Sequence, residues 1–364
     1  MEKEQENTLF RAFNLIAILF VVDGHIPIEG ELFNFGGLFR YYSFHLMMFA
    51  FSSGYFFKEE RKFKKAVVHD FKRSVIPLYI WNCIYGIICL VLSKLLGTTF
   101  GEPLSVYSLL IAPFTDGQHF VLNLGAWFIG ALFLAKFLYR ILYFLCSRWK
   151  RTDIISFIIS VIVGCGAVTL CRRETNFPIF LLRPMILLPG YAGGVLYHKR
   201  LESLDHLPVV PYLSIILGLR FILCAMNENL AYLLSNCSYF PCNAFSVYAG
   251  AALAIAFYLR IARLLNNTIQ NSRILLFASR HTFDIMMHHG LGIFLANGFF
   301  LILNILHLGA KNFSVSSWRT QGGYAYAPDG RPEYAVLYLA AGLLFSLMIA
   351  CLTEKLKKQI QNMN

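Results

Sequence analysis

Residues 11–27 read RAFNLIAILFVVDGHIP, an apolar run that carries an aspartate and a histidine near its end. The run is close to the length that crosses the hydrocarbon core of a bilayer as a helix. A second apolar run begins near Arg40, carries His45 after about one turn and ends near Phe57. A titratable side chain inside a membrane helix is costly unless it faces a polar cavity. We therefore expect His25 and His45 to be functional groups in a polar pocket.

The composition indicates a membrane protein. Of the 364 residues, 57% are hydrophobic and only 14% are charged, and the mean hydropathy is +0.58. Because a soluble domain carries roughly 25% charged residues, the composition excludes an ordinary water-soluble globule. The net charge of +12 could indicate a nucleic-acid partner, but the cations lie in short loops between apolar runs. We expect the lipid bilayer as the partner and no nucleic acid.

Ten apolar runs have the length of membrane-spanning helices. They lie near residues 10–28, 41–57, 74–96, 124–146, 153–171, 178–197, 208–226, 243–264, 282–305 and 334–353. One set of alternate loops and termini holds about 21 Lys and Arg residues, and the opposite loops hold about 7. Cytoplasmic loops are enriched in Lys and Arg. The sequence therefore predicts an all-α, multi-pass plasma-membrane protein, with residues 1–364 as one domain and both termini in the cytoplasm.

Helix geometry predicts that the polar pocket lies in the outer third of the membrane. At about 1.5 Å of rise per residue, His25 and His45 each lie roughly 5–8 Å below the outer boundary. Arg183 and Trp127 enter their own spans at a comparable depth, and His119 precedes Trp127 in the adjoining loop. Side chains from different helices thus share one level.

The first two spans also carry polar side chains below the histidines. Asn14 is eleven residues before His25, close to three helical turns, so the two share a face. Ser52 is seven residues after His45 and shares its face. Asp23 lies about 160° around the helix from His25, so a direct pair between them is not expected.

Ordinary structural roles are open for several of these residues. His45 alone could cap packing at a helix end, and Arg183 could extend its charge to the membrane interface. Trp127 could be an anchor in the aromatic belt of the membrane. His25 is the stronger functional candidate, because Asp23 and a glycine make its turn polar and open.

A second polar cluster lies early in the ninth span, where Asp284 and His288 are four residues apart. A carboxylate at this spacing can hold and polarise an imidazole. A structural pair is the alternative to a functional one. Zinc would need three or more ligands, and only two fall on one helix face, so we expect no metal.

The nine cysteines show no spacing typical of a metal site. Cys237 and Cys242 share one predicted outer loop, where a disulfide could form. Free thiols are the alternative that we favour.

Five segments together resemble the acyltransferase-3 family of integral membrane acyltransferases, in particular its fucose-4-O-acetylase-like and polysaccharide-succinylating branch. They are VVDGH at 21–25, FHLMMFAFSSGYFF at 44–57, RSVIPLYIW at 73–81, AWFI at 126–129 and DIMMH at 284–288. Each segment is short, but their order and spacing match the family. Two positions depart from the family pattern: Asn14 stands where many members have an arginine, and Met48 stands where they have a proline.

The resemblance implies transfer of an acyl group, usually acetyl, from cytoplasmic acyl-CoA to a hydroxyl of an extracytoplasmic glycan or glycolipid. His25 and His45 would supply the base or the acyl carrier, and Arg183 would stabilise an oxyanion. Cations at Arg61, Lys72 and Arg73 would contact the CoA phosphates. The residues expected to contact substrate are Asn14, Asp23, Ser52, His119, Trp127, Asp284 and His288.

The alternative class is transport. A ten-helix exporter or flippase for a cell-surface polysaccharide or a small polar solute would also place polar residues near the midplane. Broken helices in matching positions and an internal repeat would favour transport, and the sequence shows neither clearly. A sensor or purely structural membrane protein would not require two deep histidines. A homo-oligomer is compatible with each class.

Overall fold

We describe a computed structural model of the chain over residues 2–28, 32–33, 35–59, 62–115, 120–123, 125–321, 326–328 and 333–363. Arg61 and His119 therefore lie outside the described residues. The described regions hold α-helices, short 3-10 and π-helical turns and two isolated β-bridges. The all-α class predicted from the sequence is confirmed.

The α-helices follow one another with short connections through the described regions. They are α1 (Glu2–Asp23), α2 (His45–Tyr55), α3 (Phe63–Asp70), α4 (Ile76–Leu96), α5 (Ala112–Thr115), α6 (Ala126–Cys146), α7 (Thr152–Arg172), α8 (Ile179–Leu196), α9 (Val209–Ala225), α10 (Ala244–Asn271), α11 (Arg273–Arg280), α12 (Thr282–Ile305), α13 (Val315–Thr320) and α14 (Tyr334–Met363). A π-helical turn, Phe71–Val75, joins α3 to α4, and another, Tyr197–Leu201, extends α8.

Seven helical segments among the described residues are long and apolar enough to cross a membrane. They are Phe63–Leu96, Ala126–Cys146, Thr152–Arg172, Ile179–Leu204, Ala244–Asn271, Thr282–Ile305 and Tyr334–Asn362. The chain is a multi-pass membrane protein, whereas the count of ten spans and the orientation of the termini stay predictions. The predicted second span is shorter than expected, because α2 has only 11 residues. At about 16 Å, α2 cannot cross a hydrocarbon core of about 30 Å by itself.

Helices α2 and α8 approach each other so closely that only glycine fits at two positions of the crossing. A Cβ atom added at Gly54 would lie 1.9 Å from the backbone oxygen of Tyr191, and one at Gly194 would lie 2.0 Å from that of Phe51. Small residues at helix crossings allow backbones to touch in this way inside membranes. The α2–α8 pair is thus fixed by backbone contact.

A buried arginine holds the connection between α1 and α2 in place. Arg220 of α9 is fully buried and donates hydrogen bonds of 2.8 Å to the Leu38 carbonyl, the Gly250 carbonyl and the Ser43 hydroxyl. Its guanidinium also lies over the ring of Phe39. A buried charge is tolerated when its donors are paired, and here the pairing anchors the segment that leads into His45.

The cysteines of the predicted outer loop, Cys237 and Cys242, are both free thiols. The Cys237 thiol instead donates to the Leu234 carbonyl at 3.5 Å, and Cys237 lines the same cavity as Cys171 at the end of α7. The structure therefore places Cys237 beside α7.

Candidate functional site

His25 lies just beyond the last residue of α1 and contacts a histidine of α12. Its backbone N–H donates to the Val22 carbonyl at 3.0 Å, so helical winding continues through the turn. The Nδ1 atom of His25 is 3.3 Å from Nε2 of His289, and the ring centroids are 4.9 Å apart. His289 is fully buried, whereas His25 is half-buried. We call these two residues the histidine pair.

Two backbone carbonyls define the protonation of the histidine pair. Nδ1 of His25 lies 2.7 Å from the Val21 carbonyl, and Nδ1 of His289 lies 2.9 Å from the Ile285 carbonyl. A carbonyl only accepts, so each neutral ring carries its hydrogen on Nδ1 and leaves Nε2 unprotonated. Nε2 of His289 can therefore accept from Nδ1 of His25, while Nε2 of His25 is the nitrogen available as a base.

The histidine pair lies beside the early turns of α12. His289 is seven residues from the start of α12, which corresponds to about 10 Å along a helix of about 36 Å. His25 is therefore level with the half of α12 that is nearer the basic helix α11. Helix α1 ends at Asp23 rather than near Pro27, and the position expected for His25 close to the outer membrane boundary stays a prediction.

Asp23 does not face the histidine pair. Its carboxylate is buried and accepts hydrogen bonds from the backbone N–H groups of Leu32 at 3.0 Å and Phe33 at 3.3 Å. The carboxylate thus holds the loop that follows His25. Asp23 and His25 form no direct pair, in agreement with the angle of about 160° between them that the helix geometry predicts.

The predicted pair of Asp284 with His288 is wrong. Asp284 contacts His281 at 2.8 Å, and the other ring nitrogen of His281 lies 3.1 Å from Glu354 of α14. His288 is fully buried, with Nδ1 2.8 Å from the Tyr85 hydroxyl. His281 lies just before the start of α12, where it competes with His288 for Asp284. The contact of His281 with Glu354 on α14 could not be predicted from spacing along one helix.

Arg183 and Trp127 come together on α8 and α6, as their common depth suggested. The Arg183 guanidinium lies 5.1 Å from the Trp127 ring, and it donates to the carbonyl oxygens of Phe114, at 3.4 Å, and Ser235. Arg183 is fully buried, so it is not extended to the membrane interface. His45 is buried at the first position of α2, beside the ring of Tyr42.

One cavity, which we call the inner cavity, is strongly basic. It has a volume of about 720 Å³, and Asp70 is the single carboxylate among its described lining residues. Asn14, Ser52 and Arg73 line it, whereas Lys72 does not belong to this lining. Its cationic lining consists of Arg11, Lys58, Arg73, Lys136, Arg140 and Arg280, with His69 beside them. Such a cavity favours a polyanionic ligand.

Three helices lead from the inner cavity to histidines. In each, a residue lining the cavity lies two or three full turns from a histidine, so both fall on the same helix face. The pairs are Asn14 with His25, Ser52 with His45, and Thr282 with His289. Residues lining the cavity and the histidine pair therefore share common faces of α1 and α12.

A second cavity, which we call the outer cavity, lies at the opposite end of α8. Its volume is about 680 Å³, and no Lys or Arg is among its described lining residues. Hydroxyl, amide and aromatic groups line it, including those of Thr175, Asn176, Phe177, Asn236 and Ser238, with one carboxylate at Glu174. This chemistry suits an uncharged ligand rich in hydroxyl groups.

Sequence reasoning selected His288 and missed its neighbour His289. Both stand next to each other in the run His288-His289, and only the second contacts His25. The available signal was the seven-residue spacing from Thr282, which places His289 on the face that opens toward the inner cavity. Tyr85, the partner of His288, carried no such signal.

A family model described as an acyltransferase domain matches residues 12–354. A search of curated proteins found no match, and a search of solved structures found none either. The family match covers every described residue of the two cavities except Phe10 and Arg11.

Proposed function

Because the chain belongs to the acyltransferase-3 family, we propose that this membrane acyltransferase acts on a hydroxyl group. It takes an acyl group, acetyl in the simplest case, from cytoplasmic acyl-CoA and transfers it to an extracytoplasmic glycan or glycolipid. The observation that carries this proposal is the continuity of helix faces between the basic inner cavity and the histidine pair. A multi-pass protein of the plasma membrane, alone or as a homo-oligomer, would meet both substrates.

The inner cavity is the proposed donor site. Coenzyme A carries several phosphate groups, and charge-assisted contacts from Arg and Lys are the strongest hydrogen bonds available for them. Arg73 belongs to the π-helical turn Phe71–Val75, a local widening that is frequent at functional sites. Arg140 and Lys136 approach from α6. Acyl-CoA would thus bind with its phosphates among these cations.

The pantetheine arm would then extend toward the histidine pair. The Oδ1 atom of Asn14 is buried and has no hydrogen-bond partner among the described residues. Since the pantetheine arm carries amide N–H groups, Asn14 would accept one of them on the way to His25. This contact gives a role to the position where many family members carry an arginine.

The chemistry follows from the free Nε2 atom of His25. As a base, Nε2 takes the proton of the acceptor hydroxyl, and the oxygen attacks the thioester carbonyl. A C–O bond forms, the C–S bond breaks, and the CoA thiolate receives the proton from His25. As a carrier, Nε2 would attack the thioester first and hold the acyl group until the hydroxyl arrives. His45 and Ser52 would line the approach on α2.

Arg183 and Trp127 belong to the acceptor side in this proposal. Two carbonyl oxygens and an aromatic ring fix the Arg183 guanidinium, so it contributes a preorganised positive charge toward a developing oxyanion. The outer cavity, which has no described Lys or Arg in its lining, lies at the same end of α8 and supports an uncharged glycan as acceptor.

Transfer of label tests the proposal. Purified protein is incubated with acetyl-CoA radiolabelled in the acetyl group and with a panel of glycans and glycolipids, and label is sought in the acceptor. Label in an acceptor, with release of free CoA, supports acyl transfer. Movement of an unmodified glycan across proteoliposomes without label transfer would instead support the exporter or flippase.

A further inference from the structure

We propose that His289 is the positioning residue of the His25 base, in the role that a carboxylate fills in a catalytic triad. The inference rests on the proposed function and adds a residue to it. His289 Nε2 lies 3.3 Å from His25 Nδ1, the nitrogen opposite the one that takes the proton. A base oriented by a third group is the general arrangement for activated hydroxyl chemistry.

The surroundings of His25 leave this role to a histidine. Asp23, the nearest carboxylate along the chain, is held by the backbone of Leu32 and Phe33. Asp284 contacts His281 instead. Among the described residues, His289 is thus the titratable side chain in contact with Nδ1 of His25.

His289 adds a second acceptor to the Val21 carbonyl, at 3.3 Å against 2.7 Å from Nδ1 of His25. Both accept from Nδ1 of His25, so both favour the tautomer with a free Nε2. When His25 takes the acceptor's proton, its ring becomes an imidazolium in a buried site. An imidazole nitrogen can share the Nδ1 proton, and a hydrogen bond to a charged ring is stronger than one to a neutral ring. His289 therefore stabilises the charged intermediate more than the neutral ground state.

Its own position is fixed. The His289 ring is fully buried, and its Nδ1–H donates to the Ile285 carbonyl one turn earlier on α12, at 2.9 Å. The carbonyl holds the ring so that Nε2 faces His25. His288, the preceding residue and equally buried, contacts Tyr85 instead, so Tyr85 provides the comparison.

Two substitutions separate the nitrogens of His289. In His289→Gln the side-chain amide reaches the position of Nε2, whereas in His289→Asn it reaches that of Nδ1. We expect kcat to fall in the order wild type, Gln, Asn, with His289→Asn lower than wild type by about 10- to 100-fold, as expected when a hydrogen bond to a charged group is lost. KM for acetyl-CoA should stay within about twofold, because the interaction forms in the transition state.

A second readout does not need acyl transfer. Diethyl pyrocarbonate modifies an unprotonated imidazole nitrogen, and mass spectrometry gives the rate at His25. We expect the same order, with His289→Asn slowest and Tyr85→Phe, which alters the neighbouring His288 contact instead, at the wild-type rate. Gel filtration and thermal melting establish that each variant is folded.

The proposal is overturned if His289→Asn matches or exceeds His289→Gln in kcat and in labelling of His25. It is equally overturned if both variants lose kcat together with a raised KM and a lowered melting temperature. If wild-type protein labels no acceptor, the proposed function fails. The order of modification at His25 then decides the role of His289 by itself.

Discussion

The inner and outer cavities have nearly the same volume, about 720 and 680 Å³, and opposite chemistry. Six cations and a single carboxylate line the described part of the inner cavity. The outer one has hydroxyl, amide and aromatic groups and one carboxylate. Volume therefore does not distinguish the two ligands, but charge does. A polyanionic donor is suited to one end of α8, and a neutral, hydroxyl-rich acceptor to the other.

The largest effect should follow from removing the proposed base. His25→Ala should reduce acyl transfer by about 10²- to 10⁴-fold, the usual contribution of a positioned general base. Both cavities should still bind their ligands, so the donor affinity should stay at the wild-type value. Steady-state transfer and equilibrium binding of acetyl-CoA measure the two quantities.

Expression level and melting temperature serve as the folding control for His25→Ala. A variant that keeps more than about a tenth of wild-type turnover, above the upper limit that a general base allows, would move the catalytic role away from His25. His288 would then be the next histidine to test.

The charge of the inner cavity is tested by two adjacent cations. Arg73→Ala removes a side chain that lines the cavity, so acetyl-CoA should bind about 10- to 100-fold more weakly, the cost of losing one contact to a charged group. Lys72→Ala removes the same charge from the same π-helical turn outside the cavity lining. Its effect should be about threefold or less, as for an exposed charge.

Isothermal titration of both variants with acetyl-CoA makes this comparison. Equal losses in the two variants would show that the turn acts only through its general positive field. Equal retention of wild-type affinity would place the donor elsewhere.

The outer cavity should respond in the opposite way. Asn176→Ala removes a neutral amide that lines it, so KM for the acceptor should rise by roughly two- to tenfold, the value of an ordinary hydrogen bond. KM for acetyl-CoA should not change. Initial-rate kinetics with each substrate varied in turn measure both constants, and a change confined to the donor constant would contradict the assignment.

The smallest effect concerns the rim of the inner cavity. Lys199 donates to the carboxylate of Glu59, next to the cavity residue Lys58, and this hydrogen bond lowers the pKa of Glu59 from its ordinary value of 4.5. The pair therefore adds stability above that value and loses it as the pH falls through the lowered pKa. More than half of the Glu59 side chain is exposed, so Glu59→Gln should lower stability by well under about 1 kcal/mol at pH 7.

Thermal melting of Glu59→Gln and wild type at pH 7 and at pH 4 gives the comparison. The difference between the two proteins should shrink at the lower pH. A difference that grows on acidification would show that the carboxylate is not the group that titrates.

Regular features of single helices could be predicted from the sequence. Asn14 and Ser52 share helix faces with His25 and His45, because spacing along one helix determines which residues share a face. The charge of Arg73 likewise indicated a basic surface, and Arg73 lines the basic cavity. The all-α class followed from the apolar runs in the same way.

Contacts between distant helices could not be predicted. Asp284 contacts His281 because Glu354 on α14 holds the second nitrogen of that ring, and α14 lies about 70 residues away. His289 contacts His25 only because α12 packs against α1. The length of α2 was overestimated because its predicted first turn forms a separate 3-10 turn, Tyr41–Ser43, which Arg220 holds through the Ser43 hydroxyl.

The backbone contact between α2 and α8 has a mechanical consequence. Since Gly54 and Gly194 leave no gap between the two helices, neither can slide or tilt without the other. His45 on α2 and Arg183 on α8 therefore belong to one tightly packed helix pair. We therefore expect these two residues to move together, as one unit, in any rearrangement of the bundle.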